Sequence, residues 1–316
     1  MIIKQNISLK PYNTFGIEAK ATDFIEINSI EGLNFIIDNF NLAHRKLMVI
    51  GGGSNILLTK DYDGLVLKMN ITGIEKVAED DNAVYIKAMA GEKWHSFVLY
   101  CVNNGYAGVE NLSLIPGFVG AAPMQNIGAY GVELKDVFDS LVTIDLRTGK
   151  EKILKLADCK FGYRDSIFKK KLKGKYFIYQ VTVKLSKKPN LTNVIAAIFK
   201  IRNGKLPNPV ILPNAGSFFK NPEISVAQFK KLQNKYPDIK SFVSGKKIKI
   251  PAGWLIETAG LKGKKFGPVS MYEKQALILV NHGGATASQI LRHIDRVQAA
   301  VLKQFGIKLE PEVNII

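Results

Sequence analysis

The sixteen residues Pro116-Gly-Phe-Val-Gly-Ala-Ala-Pro-Met-Gln-Asn-Ile-Gly-Ala-Tyr-Gly131 hold four glycines and three alanines. Small side chains let a ligand approach the main chain, whose amides then supply hydrogen bonds. Such a stretch can lie flat against a planar ligand. The plain alternative is a long connecting loop, but a loop this long inside a compact domain is usually functional. Outward from it toward the N-terminus stands Gly51-Gly-Gly-Ser-Asn55, between the apolar runs Leu47–Ile50 and Ile56–Leu58. Consecutive glycines leave N–H groups able to converge on phosphate. The G-x-G-x-x-G spacing is absent and the following segment reads as strand, so this is no dinucleotide fingerprint of a doubly wound sheet. Alone, a triple glycine is more often a tight turn. Together the two stretches suggest one extended ligand with a pyrophosphate and a flat ring, for which FAD fits better than a mononucleotide.

Apolar periodicity sets the surroundings of these stretches. It predicts strands at Phe24–Ile27, Leu47–Ile50, Ile56–Leu58, Gly64–Met69, Ile71–Val77 and Ala83–Ala88. Further strands are expected at Leu141–Asp145, Lys152–Leu156, Tyr176–Leu185 and Lys308–Ile316. Helices are expected at Ile30–Phe40, Trp94–Asn104, Leu191–Asn203, Val226–Lys235, Ala252–Thr258 and Thr286–Phe305. Regular β-α-β alternation is missing, so the class is α+β with mixed sheets.

With 316 residues the chain has room for two or three domains. No apolar run approaches the ~20 residues that span a bilayer, and the N-terminus lacks a signal-peptide pattern, so a cytoplasmic protein is expected. Cys101 and Cys159 are isolated and read as two buried thiols, with no metal site. The net charge of +17 permits nucleic acid but equally an anionic small substrate. Its lysine runs, Lys169–Lys171 and Lys246-Lys247, lack interleaved aromatics, so they read as a solvated face.

Three more stretches carry chemistry. In Asn214-Ala-Gly-Ser-Phe-Phe-Lys-Asn-Pro222, the Ser217 hydroxyl can pass a proton, while Lys220 and Asn221 can bind an anion and a carbonyl. By itself this is an ordinary Gly/Asn/Pro turn. In Phe161-Gly-Tyr-Arg-Asp-Ser-Ile-Phe-Lys169, Arg164 offers a fork for a carboxylate, or else pairs with Asp165 at the surface. In Leu309-Glu-Pro-Glu-Val-Asn-Ile-Ile316, strand period would put Glu310 and Glu312 on one face and Val313 and Ile315 on the other. A carboxylate on a chain end that returns to the core would carry a raised pKa; the alternative is an exposed edge strand with two acids.

These five stretches, in this order, resemble the UDP-N-acetylenolpyruvoylglucosamine reductase family. The likeness runs from Leu9-Lys-Pro-Tyr-Asn-Thr-Phe-Gly16 to Glu312 and includes Ala252-Gly-Trp-Leu-Ile256, Leu261-Lys-Gly263 and Gln275-Ala-Leu277. It implies an FAD-binding unit of two α+β subdomains, of the vanillyl-alcohol-oxidase kind, followed by an α+β substrate domain. The expected division is residues 1–64 with 307–316, then 65–206, then 207–306, the final strand returning to the first subdomain. The resemblance assigns the FAD pyrophosphate to Gly51, Gly52, Gly53, Ser54 and Asn55. It assigns the flavin to Pro116, Gly117, Gly120, Ala121, Ala122, Gly128, Ala129, Tyr130 and Gly131. Arg164, Ser217 and Glu312 match the family's catalytic trio. Lys205 and Asn221 match positions that contact substrate or nicotinamide nucleotide, and Gln275 is a weaker substrate-side candidate. In the branch with this arginine motif, an insertion after the strand ending near Leu185 carries a tyrosine that clamps UDP. Here Ser186-Lys-Lys-Pro-Asn-Leu-Thr-Asn193 is short and has no tyrosine, so the clamp does not carry over. Lys187 and Lys188 are weighed as partial replacements.

The resemblance implies that NADPH reduces a dissociable FAD, which then reduces UDP-N-acetylglucosamine enolpyruvate, in a monomer. Ser217 would protonate the substrate, supplied by Lys220 or Lys205. The rivals are an alcohol or lactone oxidase of the same architecture, and a non-catalytic protein binding a UDP-sugar or nucleic acid. The first often tethers its flavin through His or Cys, which neither glycine-rich stretch contains.

Overall fold

The computed structural model describes residues 2–187 and 204–316. The expected helix Leu191–Asn203 and the residue Lys188 lie outside the described residues. The chain clusters into two compact units. One holds Met1–Ser8, Lys20–Gly53 and Asp61–Gly204; the other holds Leu9–Ala19, Ser54–Lys60 and Lys205–Ile316.

The first unit contains two sheets. In the smaller, the strand order is Lys4–Ser8, Lys20–Ile27, Tyr62–Met69, Leu47–Ile50, and the last three run parallel. Helix Ile30–Phe40 connects Lys20–Ile27 to Leu47–Ile50. It starts where Ser29 accepts from the Gly32 amide at 3.1 Å and ends at Asn41, whose φ of 43° leaves the helical region. Ile25, Ile27, Leu65, Leu67 and Met69 are buried with Leu33, Ile36 and Ile37 of that helix. Strand alternation puts the first five on one face, and helical spacing brings the other three to meet them. The larger sheet is antiparallel, in the order Glu151–Lys155, Phe138–Asp145, Tyr176–Lys187, Ala83–Met89, Ile74–Glu79, with Tyr106–Ala107 also on the central strand. Val84, Ile86 and Ala88 pack with Phe97, Val98 and Cys101 of helix Trp94–Asn103 in a separate core. Each sheet therefore has its own hydrophobic centre, as a two-subdomain unit requires.

The second unit carries a sheet in the order Asn214–Ser217, Ile278–Asn281, Val269–Met271, Lys265–Phe266, and a smaller one built from Glu223–Ile224, Lys247–Lys249 and Phe242–Ser244. Its helices are Val226–Lys235, Ala252–Thr258 and Ala287–Phe305. The last begins with a capping box between Thr286 and Gln289, and buries Ile290, Ile294, Val297 and Val301 against Leu255 and Ile256. Among the described residues no helix is long and apolar enough to cross a membrane.

Some segments depart from sequence expectation. The segment Pro116–Gly131 is not an open loop. Val119–Gln125 forms a 3-10 helix, and Gly128–Ala129 pairs with Val132–Glu133. Tyr130 and Gly131 make the turn between them, with φ of 51° and 82°, the signs a type I′ hairpin demands. The strand expected over Ile71–Val77 starts at Ile74, and that over Lys152–Leu156 stops at Lys155, because Leu156 opens a helical turn. At the C-terminus only Asn314–Ile315 is strand, pairing parallel with Ile56–Leu57. Glu310 and Glu312 are covered unequally: the Glu310 side chain is 73% exposed and Glu312 only 8%. Pro311 sits at an antiparallel bridge with Phe219, where no amide of its own is needed, so the chain stays extended from Glu310 to Glu312 and the two acids differ in what covers them.

Candidate functional site

In the first unit, the parallel strands end at Ile27, Ile50 and Met69, and Gly51-Gly52-Gly53 leaves the second of these. Ligands of parallel sheets bind outside the carboxyl ends of the strands. A Cβ on Gly51 would come 3.2 Å from the Phe118 Cβ and 3.2 Å from the Met69 methyl. One on Gly52 would come 3.1 Å from the Gly117 Cα. The triple glycine and the Pro116 segment therefore approach closely, Gly52 against the Gly117 main chain and Gly51 against the Phe118 and Met69 side chains, and a side chain on either glycine would have to push a neighbour aside. A run of glycines beside a second small-residue segment fits a diphosphate carrying a flat ring. Gly53 has a φ of 62°. Ser54 and Asn55 belong to the second unit, where the Asn55 carbonyl accepts from the Asn314 amide at 3.0 Å.

Gly120 has a packing role as well. Its amide donates to the Ala90 carbonyl at 3.0 Å, and an added Cβ would lie 2.5 Å from the Ala90 Cβ. Ala122 is buried, and Ala121 donates to the Phe118 carbonyl at 3.0 Å.

Arg164 sits at a φ of 53° in a tight turn closed by hydrogen bonds between Gly162 and Asp165 at 3.0 and 3.2 Å. Left-handed backbone is unfavourable for such a side chain and marks a position held by its surroundings. What holds it is visible. Its guanidinium donates to the Gly128 carbonyl at 2.8 Å. Buried Asn126 donates to Glu133 at 2.9 Å and to the Gly162 carbonyl at 3.2 Å, and accepts from the Lys135 amide at 2.9 Å. Buried Ser166 donates to the Met124 carbonyl at 2.7 Å. Asp165 pairs with Lys170. The surface pair weighed for Arg164 is thus made by another cation, and Arg164 is brought to the hairpin at Gly128. Sequence reasoning passed over Asn126 and Ser166, although both lie inside the quoted stretches. Asparagine beside a small-residue run was the available signal, since Asn tolerates the φ of 46° found there.

In the second unit, Ser217 ends its strand opposite Ile278. Gly216 has a φ of 71° and open space around it, and its amide donates to the buried Asn214 side chain at 2.9 Å. The next residues are held from both sides. The Phe218 amide donates to the Leu277 carbonyl at 2.8 Å, and the Phe218 carbonyl accepts from the Glu312 amide at 2.7 Å. Phe219 bridges Pro311, and the Lys220 amide donates to the Glu310 carbonyl at 2.9 Å. Phe218 and Phe219 are fully buried and fix this ribbon in the core. The structure thus brings Ser217 and Glu312 to adjacent rungs of one ribbon, with Glu312 buried. The Lys220 ammonium lies 3.8 Å from the exposed Glu310.

The remaining substrate-side candidates hold local structure too. The Asn221 side chain accepts from the Ala252 amide at 2.9 Å, satisfying the start of helix Ala252–Thr258. Gln275 accepts from the Leu277 amide at 3.4 Å, and its oxygen would be 3.0 Å from a Cβ on Gly253. Lys205 is exposed. In the first unit Lys187 pairs with Glu79 at 3.3 Å.

Comparison with known proteins agrees in both halves. Residues 24–157 match the model of an FAD binding domain. Residues 208–316 match that of the C-terminal domain of UDP-N-acetylenolpyruvoylglucosamine reductase. A protein of that name from Flavobacterium johnsoniae is 46% identical, covering 100% of both chains. One from Amoebophilus asiaticus is also 46% identical over 100% of both, and one from Burkholderia ambifaria is 44% identical, covering 96% of this chain and 94% of the other. The fold matches the crystal structure of UDP-N-acetylenolpyruvylglucosamine reductase from Thermus caldophilus with a TM-score of 0.73, at 22% identity, over 100% of this chain and 99% of that one. Identity of this size over the whole length is decisive: the chain belongs to the UDP-N-acetylenolpyruvoylglucosamine reductase family.

Proposed function

We propose that this chain binds FAD non-covalently and, with NADPH, reduces UDP-N-acetylglucosamine enolpyruvate to UDP-N-acetylmuramate, a step of peptidoglycan precursor synthesis. Full-length family membership supports the reaction. The close approach of the two glycine segments, at the carboxyl ends of parallel strands and within the span that matches an FAD binding domain, supports the cofactor. Cys101 and Cys159 are both buried, and neither segment carries a His or Cys to tether a flavin. We take the protein to act as a cytoplasmic monomer.

Bound FAD would supply the hydride that passes from NADPH to the vinyl carbon of the substrate. The chain's own residues must deal with what is left. Negative charge develops across C2 and the carboxylate of the substrate, and a proton must reach C2. Arg164, steadied by the Gly128 carbonyl, is the cation proposed to offset that charge. Glu312 is proposed to hold the same oxygens by a hydrogen bond, which it can donate only when protonated. Ser217 is proposed to donate the proton to C2 and to recover one from a neighbouring donor. Gly51 to Asn55 and the Pro116 segment are assigned to the cofactor. Residues 207–306, with Lys205, Asn221 and Gln275, are assigned to substrate.

The observation that carries the residue assignment is the Glu312 amide bonded to the Phe218 carbonyl at 2.7 Å, one residue from Ser217. It holds a hydroxyl and a buried carboxyl group on one rigid ribbon. Stopped-flow separation of the half-reactions tests the assignment. Ser217→Ala should leave flavin reduction by NADPH unchanged and slow reoxidation by substrate about 100- to 1,000-fold. Equal loss in both half-reactions would refute it.

A further inference from the structure

Lys68 stands on the central parallel strand Tyr62–Met69, opposite Glu26 on one neighbour and Ile50 on the other. Ile50 is the residue before Gly51, so the lysine is level with the start of the triple glycine. Its residue is only 9% exposed. Lysine is almost never buried so far without a charged partner. Its ammonium lies 4.1 Å from the centre of the Phe118 ring and 3.3 Å from the Met69 carbonyl. Phe118 and Met69 are the side chains that crowd Gly51. The cation is therefore built into the wall of the glycine cradle. A ring face and one carbonyl are weak company for an ammonium. Burial pulls Lys68 down to about 8, against a smaller opposing pull from Glu26. A cation destabilised in this way gains from any anion brought beside it.

Resting on the cofactor reading above, we infer that Lys68 is a further cofactor-binding residue, whose ammonium answers the diphosphate held at Gly51–Gly53. Oxygen ligands of diphosphate suit a compact ammonium that can leave the Phe118 ring by rotation of its stem. The ring then serves as a resting place for the charge before the anion arrives.

Titration of apo-protein with FAD and, separately, with riboflavin, followed by flavin fluorescence, tests this. Riboflavin carries the ring and lacks the phosphates. Lys68→Met should raise the dissociation constant for FAD about 10- to 100-fold, the worth of a hydrogen bond to a charged group. It should leave that for riboflavin unchanged. Lys68→Arg should keep most of the affinity, and the FAD affinity of wild type should fall more steeply with salt than that of Lys68→Met. Should Lys68→Met not fold, as judged by circular dichroism, Lys68→Gln serves the same comparison. Unchanged FAD affinity, or equal weakening of FAD and riboflavin, overturns the inference; equal weakening would mean that Lys68 only props Phe118. If wild type binds FAD and the variants do not differ, the inference alone fails. If wild type binds no FAD, the cofactor reading fails with it.

Discussion

His293 gives the second unit a built-in sensitivity to acid. It lies on helix Ala287–Phe305, is only 1% exposed, and neither ring nitrogen has a hydrogen-bond partner among the described residues. Its ring sits 5.3 Å from that of Phe266, over which the Arg296 guanidinium lies at 3.9 Å. Burial, with the nearby charge of Arg296 adding to it, lowers the His293 pKa from 6.5 to about 4. The unfolded chain therefore takes up this proton at a pH where the folded chain refuses it. Stability is fully present above about pH 6.5 and drains away as the pH falls toward about 4. Between about pH 7.5 and about pH 5 the loss from this one group is about 2 kcal/mol. Urea unfolding at the two pH values, followed by Trp254 in a Trp94→Phe background, measures it in the unit that holds His293. Other groups add their own slopes, so the quantity that matters is wild type minus His293→Leu. The leucine variant should lose about 2 kcal/mol less over this range. Equal pH dependence in the two proteins would refute the reasoning and place a proton partner beside the ring.

Other perturbations have expected outcomes of their own. Gly120→Ala forces a Cβ to 2.5 Å from that of Ala90 and should destabilise the first unit by about 1–3 kcal/mol, seen as a lower melting temperature, whereas Gly131→Ala meets no atom within 4 Å and suffers only from its φ of 82°. A melting curve for Gly120→Ala that overlays wild type would show that Ala90 yields. Asn126→Ala leaves the Lys135 amide without its acceptor, while Glu133 keeps the Lys135 ammonium and the Gly162 carbonyl keeps the Asp165 amide, and should cost about 1–3 kcal/mol while slowing only the substrate half-reaction through Arg164. Glu312→Gln should slow flavin reoxidation while Glu310→Gln, on a side chain 73% exposed, leaves it near wild type; the reverse pattern would transfer the role to Glu310. Burial pushes the Cys159 thiol up to about 12 and Cys101 higher still, so neither should react with a thiol reagent at neutral pH until urea unfolds the chain.

Much of the fold was legible because its segments obey one period at a time. Ile30–Phe40, Val226–Lys235 and Ala252–Thr258 match their helices to the residue, since capping serines, apolar spacing and proline punctuation agree. Pro116–Gly131 was legible as a small-residue segment but not as structure. Its helix is 3-10 and its hairpin turn sets a tyrosine at positive φ, and neither has a hydrophobic period to read. Of the site, the residues with chemistry of their own were visible as types: Arg164, Ser217 and Glu312. The groups that position them were not. Asn126 and Ser166 tie the Arg164 turn to distant main chain, and which main chain they reach is not written in local composition.

The amino-acid sequence by itself determined the α+β class, the small-residue segments proposed to hold the cofactor, and the family to which the chain belongs. These depend on local spacing and on motifs that keep their order along the chain. Tertiary structure alone decided which of Glu310 and Glu312 is buried, which cation takes Asp165, and that Lys68 stands in the wall of the glycine cradle. Each of those is settled by what the remote chain brings alongside: Phe218 for Glu312, Lys170 for Asp165, Phe118 for Lys68. Burial and charge pairing are properties of neighbours in space, and sequence order does not encode them locally.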